Sequence, residues 1–176
     1  MTGYQALAKI LAIEGVKFLS AFPMQDLIEE GAKLGIRPII CRQERAGVNI
    51  ADGYSRVRNG TDFGVFTMQH GPGAENAFAG VAQAYADSVP ILLLPASANR
   101  NKNSIHPTFS PWQTYKTVTK WSEQINMPER IPEMMRRAFN LLRNGRPGPV
   151  LLELPSDVGS ADVPGDIEEY QPVKTY

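Results

Sequence analysis

The sequence of 176 residues is poor in cysteine and histidine, with one cysteine, Cys41, and two histidines, His70 and His106. A single cysteine cannot form an intramolecular disulfide, which is typical of proteins from a reducing compartment. The two histidines have no metal-ligand spacing with Cys41, so the sequence does not support a zinc site. We therefore expect no metal to be bound by the side chains of this chain.

Long apolar runs and clusters of one charge are also missing. The longest apolar runs, such as residues 91–94, are far shorter than the ~20 residues of a membrane helix. The N-terminus, Met1 to Tyr4, lacks the cationic stretch and apolar block of a secretory signal. Lys plus Arg and Asp plus Glu are equal at 18 each, which disfavours nucleic acid as a partner. We expect a cytoplasmic protein with no membrane or nucleic-acid partner.

Three widespread motifs are absent as well. The sequence has no Gly-x-Ser-x-Gly nucleophile elbow and no Gly-x-Gly-x-x-Gly dinucleotide loop. The glycine-bounded segment at residues 69–73 is not followed by the lysine of a phosphate-binding loop. These absences weaken the interpretation of the chain as a nucleophile-elbow hydrolase, as a dinucleotide-dependent enzyme or as a nucleoside triphosphatase.

What is present is a regular alternation of helical and strand-like segments. Leu7, Ile10 and Leu11 have the spacing of one helix face, and Gly15 is placed to end that helix. The further predicted helices are 26–34, 43–58, 74–86 and 131–144, and the predicted strands are 16–22, 37–41, 63–68, 89–95 and 150–154. This alternation predicts an α/β fold with an open parallel sheet of about six strands and helices on both faces, in three α/β/α layers.

The chain length is suited to one domain with a substantial core. After Pro155 the sequence becomes acidic and rich in proline and glycine. We expect residues 1–160 to form the domain and residues 161–176 to form a linker or tail.

Ligands of open parallel sheets bind beyond the carboxyl ends of the strands. Three predicted strand ends meet that description: residues 22–24, 42–44 and 69–73. The glycines of the third segment allow close backbone approach to a ligand, although a purely structural turn is an equal alternative, and Asn76 could be a surface residue. Glu44 could serve only to stabilise a helix N-terminus. His70 is of the right type for acid–base chemistry, but a histidine in a loop is more often solvated.

Several short segments, each common by itself, occur in order along the chain. They are Glu14-Gly15-Val16, Phe22-Pro23, Arg42-Gln43-Glu44-Arg45-Ala46-Gly47, Ala51-Asp52-Gly53-Tyr54-Ser55-Arg56, Gly71-Pro72-Gly73-Ala74-Glu75-Asn76, Ala84-Tyr85-Ala86-Asp87-Ser88-Val89-Pro90, Thr119-Lys120-Trp121 and Gly145-Arg146-Pro147-Gly148-Pro149-Val150. Together they resemble the N-terminal pyrimidine-binding domain of the acetolactate synthase-like family of thiamin-diphosphate-dependent enzymes. The resemblance extends over roughly residues 3 to 160.

The resemblance implies a catalytic role for Glu44. In that family the equivalent glutamate hydrogen-bonds N1′ of the aminopyrimidine ring and favours the imino tautomer, which takes the proton from thiazolium C2. The carbanion so formed attacks a 2-keto acid. The implied cofactor-binding residues are Pro23, Glu44, Gly71, Pro72, Gly73 and Asn76, and the implied substrate-side residues are Met24, Gln69 and His70. The cofactor of the family lies between two subunits, which implies a homodimer or larger oligomer.

The chain also departs from the family. Met24-Gln25 stands where acetolactate synthases usually have Gly-Gly, and His106-Pro107-Thr108 stands where they have Phe-Gln-Glu. The Gly-Asp-Gly…Asn-Asn motif that holds the diphosphate and Mg²⁺ in a separate domain is missing, and the sequence does not indicate whether FAD binds. We therefore expect half of a carboligase or decarboxylase site, inactive without a diphosphate-binding domain in cis or in trans. The alternative is a non-catalytic binding or regulatory protein that has retained the fold.

Overall fold

The computed structural model describes residues 1–107, 109–165 and 167–176. Thr108, in the segment that departs from the Phe-Gln-Glu of acetolactate synthases, and Asp166 lie outside the described residues. The described part contains a single sheet of six parallel strands in the order β2-β1-β3-β4-β6-β5. The strands are β1 (Phe18–Ala21), β2 (Arg37–Ile40), β3 (Gly64–Met68), β4 (Ile91–Ser97), β5 (Trp121–Gln124) and β6 (Val150–Pro155). The predicted parallel sheet is confirmed.

Seven α-helices occur in the described residues: α1 (Gly3–Ile13), α2 (Leu27–Lys33), α3 (Glu44–Arg58), α4 (Pro72–Ala86), α5 (Pro111–Thr114), α6 (Ile131–Arg143) and α7 (Ser156–Ser160). Helix α1 begins with a capping box between Thr2 and Gln5. It is followed by Gly15, whose φ of +84° is the left-handed conformation that glycine adopts without strain. The predicted end of this helix is confirmed.

Helices cover both faces of the sheet, as predicted. On one face, α1, α2 and α6 share an apolar cluster with alternate strand residues such as Val65 and Leu92. On the other face, α3 and α4 pack over Phe66, Met68 and Leu93. The fold therefore has three α/β/α layers, and the two helices that adjoin the predicted site share one layer.

The small residues of α3 and its neighbours allow close packing. A Cβ atom on Gly47 would lie 2.2 Å from the ring of Phe66. A Cβ atom on Gly80 of α4 would lie 2.4 Å from Val48 of α3. Both values are below any tolerable carbon–carbon contact, so α3 sits closer to the sheet and to α4 than larger residues would permit.

The strand β5 is absent from the segment-by-segment prediction, although the predicted total of about six strands is confirmed. Its buried residues are polar, Ser122 and Gln124, whereas Trp121 and Glu123 are only partly buried. The apolar alternation that identifies a half-buried strand is therefore missing from this segment.

Several of the described residues after 160 pack against the domain. Val163, Ile167 and Tyr170 are buried in the apolar cluster that includes α1 and α6. The Tyr170 hydroxyl donates a hydrogen bond to the Glu14 carboxylate at 2.6 Å. The domain boundary at residue 160 stays a prediction, but the described residues that follow it do not leave the domain surface.

No helix within the described residues combines the length and the apolar character of a membrane-spanning segment.

Candidate functional site

Glu44 is the first residue of α3 and lies just past the carboxyl end of β2. Its neighbour Gln43 is extended, with φ −144°, so the chain turns into the helix at Glu44. The side chain points inward and only 7% of the residue is exposed. A carboxylate at this end of a helix is stabilised by the unpaired N–H groups of the first turn. This local effect explains why an acidic residue is tolerated at a nearly buried position.

The carboxylate of Glu44 is oriented by Asn76 on α4. The Asn76 Nδ2 amide donates a hydrogen bond to Glu44 Oε2 at 2.8 Å. Among the described residues, no other group hydrogen-bonds this carboxylate, and Oε1 keeps its acceptor capacity. The pair joins two helices that begin at different strand ends, 32 positions apart in the sequence.

Gly73 provides the space beside Glu44. A Cβ atom at this position would lie 2.9 Å from Glu44 Oε1 and 2.9 Å from the Cβ of Gln69. Only a glycine therefore leaves the free carboxylate oxygen uncovered. The fold thus brings together Glu44, Gln69, Gly73 and Asn76. A flat ring bearing an N–H group fits the chemistry of this site.

The turn that precedes α4 depends on Gly71. This residue has φ +61°, in the left-handed region, and it turns the chain from β3 into Pro72 at the start of the helix. The predicted helix start at Ala74 is wrong by two residues, because Pro72 and Gly73 belong to the first turn. Proline is favoured at that position since its missing N–H has no intrahelical partner.

Pro23 and Met24 follow β1 at the same edge of the sheet, and both are exposed. The next residue, Gln25, is buried, and its amide nitrogen donates to the Leu94 carbonyl at 2.9 Å and to the Thr67 hydroxyl. Gln25 therefore fixes the loop after β1 onto β3 and β4. In the sequence Gln25 stands out only as a departure from a family pattern, which does not reveal its anchoring role.

A cavity of about 620 Å³ lies beside the glycine turn. It extends from His70 and Gly71 to the segment between β4 and β5, where His106 and Trp112 form part of its wall. His70 and His106, which are distant in the sequence, therefore line the same cavity. This places both histidines of the sequence at one candidate substrate-side surface.

Glu153 on β6 forms the buried floor of that cavity and was missed by sequence reasoning. It is 2% exposed, and its carboxylate accepts hydrogen bonds from the backbone N–H of Trp112 at 3.0 Å and from the side-chain amide of Gln124 at 2.7 Å. Burial raises the pKa of the Glu153 carboxyl, and these hydrogen bonds oppose that rise. The signal available in the sequence was an acidic residue inside an otherwise apolar strand.

The described ranges 1–107, 109–165 and 167–176 contain no group of three or more His, Cys, Asp or Glu side chains that could hold a metal ion. Acidic residues near the site, Glu44, Glu75 and Glu153, come from different elements. The centre of the described site consists of a carboxylate, an amide and a glycine, at Glu44, Asn76 and Gly73.

Comparison with known proteins is consistent with this geometry. The chain is 35% identical over 175 residues to the probable acetolactate synthase large subunit of Methanocaldococcus jannaschii, covering 97% of this chain and 29% of that protein. It is 34% identical over 174 residues to the probable 2-ketoarginine decarboxylase AruI of Pseudomonas aeruginosa, covering 94% of this chain and 31% of that protein. It is 33% identical over 144 residues to the glyoxylate carboligase of Escherichia coli O157:H7, covering 81% and 24%.

The chain therefore spans roughly 24–31% of the length of these relatives. Residues 1–122 also match the family described as the thiamine pyrophosphate enzyme, N-terminal TPP binding domain. That match includes every predicted cofactor-binding and substrate-side residue. This chain belongs to the family of N-terminal thiamine-pyrophosphate-binding domains of thiamine pyrophosphate enzymes.

Proposed function

We propose that this chain supplies the pyrimidine-binding half of the active site of a thiamin-diphosphate-dependent carboligase or 2-keto acid decarboxylase, with Glu44 as the catalytic residue. The observation that carries the proposal is the nearly buried Glu44 carboxylate, held at Oε2 by Asn76 and left open at Oε1 by Gly73. The proposal gives Pro23, Gly71 and Pro72 the rest of the pocket wall around the aminopyrimidine ring.

When bound, thiamin diphosphate would supply a nucleophilic carbon and store the electron pair released with CO₂. The task of Glu44 is to exchange a proton at Oε1 with the ring nitrogen that faces it. Asn76 keeps the other oxygen occupied, so that Oε1 is the atom presented to the ring. Because Glu44 is nearly buried, a ring seated against Oε1 would leave little space for water to compete for that proton.

The substrate side of the proposed site is the cavity beside the glycine turn. Gln69, His70 and Met24 adjoin this region or the same strand edge, and we assign them contact with the 2-keto acid. The names of two relatives given above refer to 2-ketoarginine and glyoxylate, which are both 2-oxo acids, so a 2-keto acid is the substrate class that we propose. The cytoplasmic location stays a prediction.

The diphosphate end of the cofactor requires a second domain, in cis or in trans. The sequence lacks the motif that would hold the diphosphate and Mg²⁺, so both are assigned to that domain, and FAD is left out of the proposal. The proposal includes a homodimer or larger oligomer. The outer side of the α3–α4 layer supports it, because Ala46 and Ala79 are exposed there and Val57 is 84% exposed.

We expect the purified chain of 176 residues to show no turnover of pyruvate with added thiamin diphosphate and Mg²⁺. The reason is that the chain contacts only one end of the cofactor. Addition of a diphosphate-binding domain from a related enzyme should produce cofactor-dependent CO₂ release or acetolactate formation. The measurement is a coupled CO₂ assay with a colorimetric acetolactate assay. Robust acetolactate formation by the isolated chain would contradict the proposed division of the site.

We expect Gly73→Ala to lower the activity of the reconstituted enzyme about tenfold, because the new methyl group forces Glu44 or α4 to shift by a few tenths of an ångström. A full 1 Å displacement costs up to about 100-fold in comparable cases. The matched control is Gly31→Ala on α2, where the new Cβ would be 3.7 Å from Ile36, an ordinary contact. Steady-state rates at saturating cofactor measure the difference. Equal rates for the two variants would show that the space beside Glu44 is not required.

A further inference from the structure

Tyr115 connects the segment between β4 and β5 to the start of α4. Its side chain is completely buried, and its hydroxyl donates a hydrogen bond to the Ala74 carbonyl. Ala74 belongs to the first turn of α4, directly after Gly73 and two residues before Asn76. The phenol therefore contacts the helical turn that presents both of these residues to Glu44.

The contact extends over one helical turn. The ring of Tyr115 packs against Phe78 with centroids 5.2 Å apart and the planes at 75°. In a regular helix the Ala74 carbonyl also accepts the N–H of Phe78, so the phenol is a second donor to the same oxygen. Tyr115 thus holds α4 at two adjacent points on one side, which restricts rotation of its first turn.

Tyr115 is itself fixed to the sheet. The Thr119 hydroxyl donates a hydrogen bond to the backbone carbonyl of Tyr115 at 2.8 Å. One turn before Tyr115, the backbone N–H of Trp112 donates a hydrogen bond to Glu153 on β6 at 3.0 Å. Burial raises the pKa of the Tyr115 phenol, so the hydroxyl keeps its proton and remains a donor. Tyr115 therefore links the start of α4, through the neighbouring Trp112, to Glu153, a buried residue of the sheet.

We propose that Tyr115 is a positioning residue, whose hydroxyl sets the first turn of α4 and thereby the contact of the Asn76 amide with Glu44. This inference rests on the proposed function of Glu44 and Asn76. Among the described residues, the hydrogen bonds and the ring contact of Tyr115 do not involve Glu44, and Tyr115 acts through the backbone of Ala74.

The first test uses the purified chain without cofactor. Tyr115→Phe keeps the ring and removes only the hydroxyl, so we expect amide hydrogen exchange to accelerate severalfold at residues 74–78 and to stay unchanged in the second half of α4. The matched control is Tyr85→Phe, the same chemical change at an exposed position of the same helix. Identical exchange in the two variants would overturn the inference.

The second test is a double-mutant cycle in the reconstituted enzyme with a diphosphate-binding domain. Loss of one hydrogen bond to a positioned group predicts that Tyr115→Phe raises the half-saturating concentration of thiamin diphosphate by about 3- to 10-fold. In the Asn76→Ala background the same change should add less than about twofold, because the amide that Tyr115 positions is gone. Equal effects in both backgrounds would overturn the inference, since a purely structural role affects both alike.

Glu44→Gln in the same enzyme separates two kinds of failure. If Glu44→Gln abolishes activity while Tyr115→Phe behaves like Tyr85→Phe, only the positioning role is overturned. If Glu44→Gln leaves activity intact, the proposed function and the positioning role are both overturned.

Discussion

Glu44→Gln should lower the turnover of the reconstituted enzyme by about 10²- to 10⁴-fold, the range typical of a lost proton-transfer group. The Asn76 Nδ2 amide, 2.8 Å from Glu44 Oε2, dictates how the new side chain is oriented. It requires an acceptor, so the glutamine oxygen would take the Oε2 position and the glutamine NH₂ would replace Oε1. That NH₂ can donate to a ring nitrogen but cannot exchange a proton with it.

The measurement compares kcat and the half-saturating cofactor concentration for wild type, Glu44→Gln and Glu29→Gln. Glu29 is an exposed acidic residue of α2, and its replacement should leave both quantities unchanged. Thermal unfolding should be similar for all three proteins, since Gln preserves the contact with Asn76. Full activity of Glu44→Gln would contradict the catalytic assignment and favour a non-catalytic binding or regulatory protein that has retained the fold.

Glu14→Ala should lower the free energy of unfolding by about 3–5 kcal/mol, the usual cost of removing one partner of a buried ion pair. The Glu14 side chain is completely buried and pairs with Arg143, whose side chain is 18% exposed. Glu14 also accepts the Tyr170 hydroxyl at 2.6 Å and the Val173 N–H at 3.2 Å. Its removal leaves the buried Tyr170 phenol without its acceptor, and it leaves the partly buried Arg143 guanidinium with only the Glu14 and Val173 carbonyls as acceptors.

Urea denaturation of the 176-residue chain measures this effect through the midpoint and slope of the transition. The control is Glu133→Ala, which removes an exposed partner of Arg130 in an i,i+3 pair at the start of α6 and should leave the free energy of unfolding nearly unchanged. We also expect Glu14→Ala to expose residues 162–176 to limited proteolysis. A change in stability no larger than that of the control would show that the buried pair does not hold the segment.

The parts of the fold that depend on apolar periodicity and on glycine can be predicted from the sequence. The pattern predicts a helix over residues 43–58, and α3 is observed over Glu44–Arg58, so the pattern alone places Glu44 at a strand end. The local sequence leaves Asn76 open as a surface residue. Its contact with Glu44 joins residues 32 apart, which no local pattern can indicate.

Two features of the fold could not be predicted from the sequence, strand β5 and the packing of the last residues, and both have a physical reason. Strand β5 buries Ser122 and Gln124, so its inward face is polar and resembles a loop in an apolar pattern. The last residues are acidic and rich in proline and glycine, a composition that suggests a linker. Yet Tyr170 is buried, and its hydroxyl donates a hydrogen bond to Glu14, 156 positions earlier. Both cases depend on partners that are supplied only by the tertiary fold.

The division of the helices between two faces of the sheet makes function and stability separable in this domain. Glu44, Gly73 and Asn76 belong to α3 and α4 on one face, whereas Glu14, Arg143 and Tyr170 lie with the layer on the other. A substitution in the layer that contains Glu14, Arg143 and Tyr170 should therefore change the fraction of folded molecules, without changing the activity of each folded molecule. Selection or engineering could adjust the robustness of the protein on one side of the sheet while its chemistry is preserved on the other.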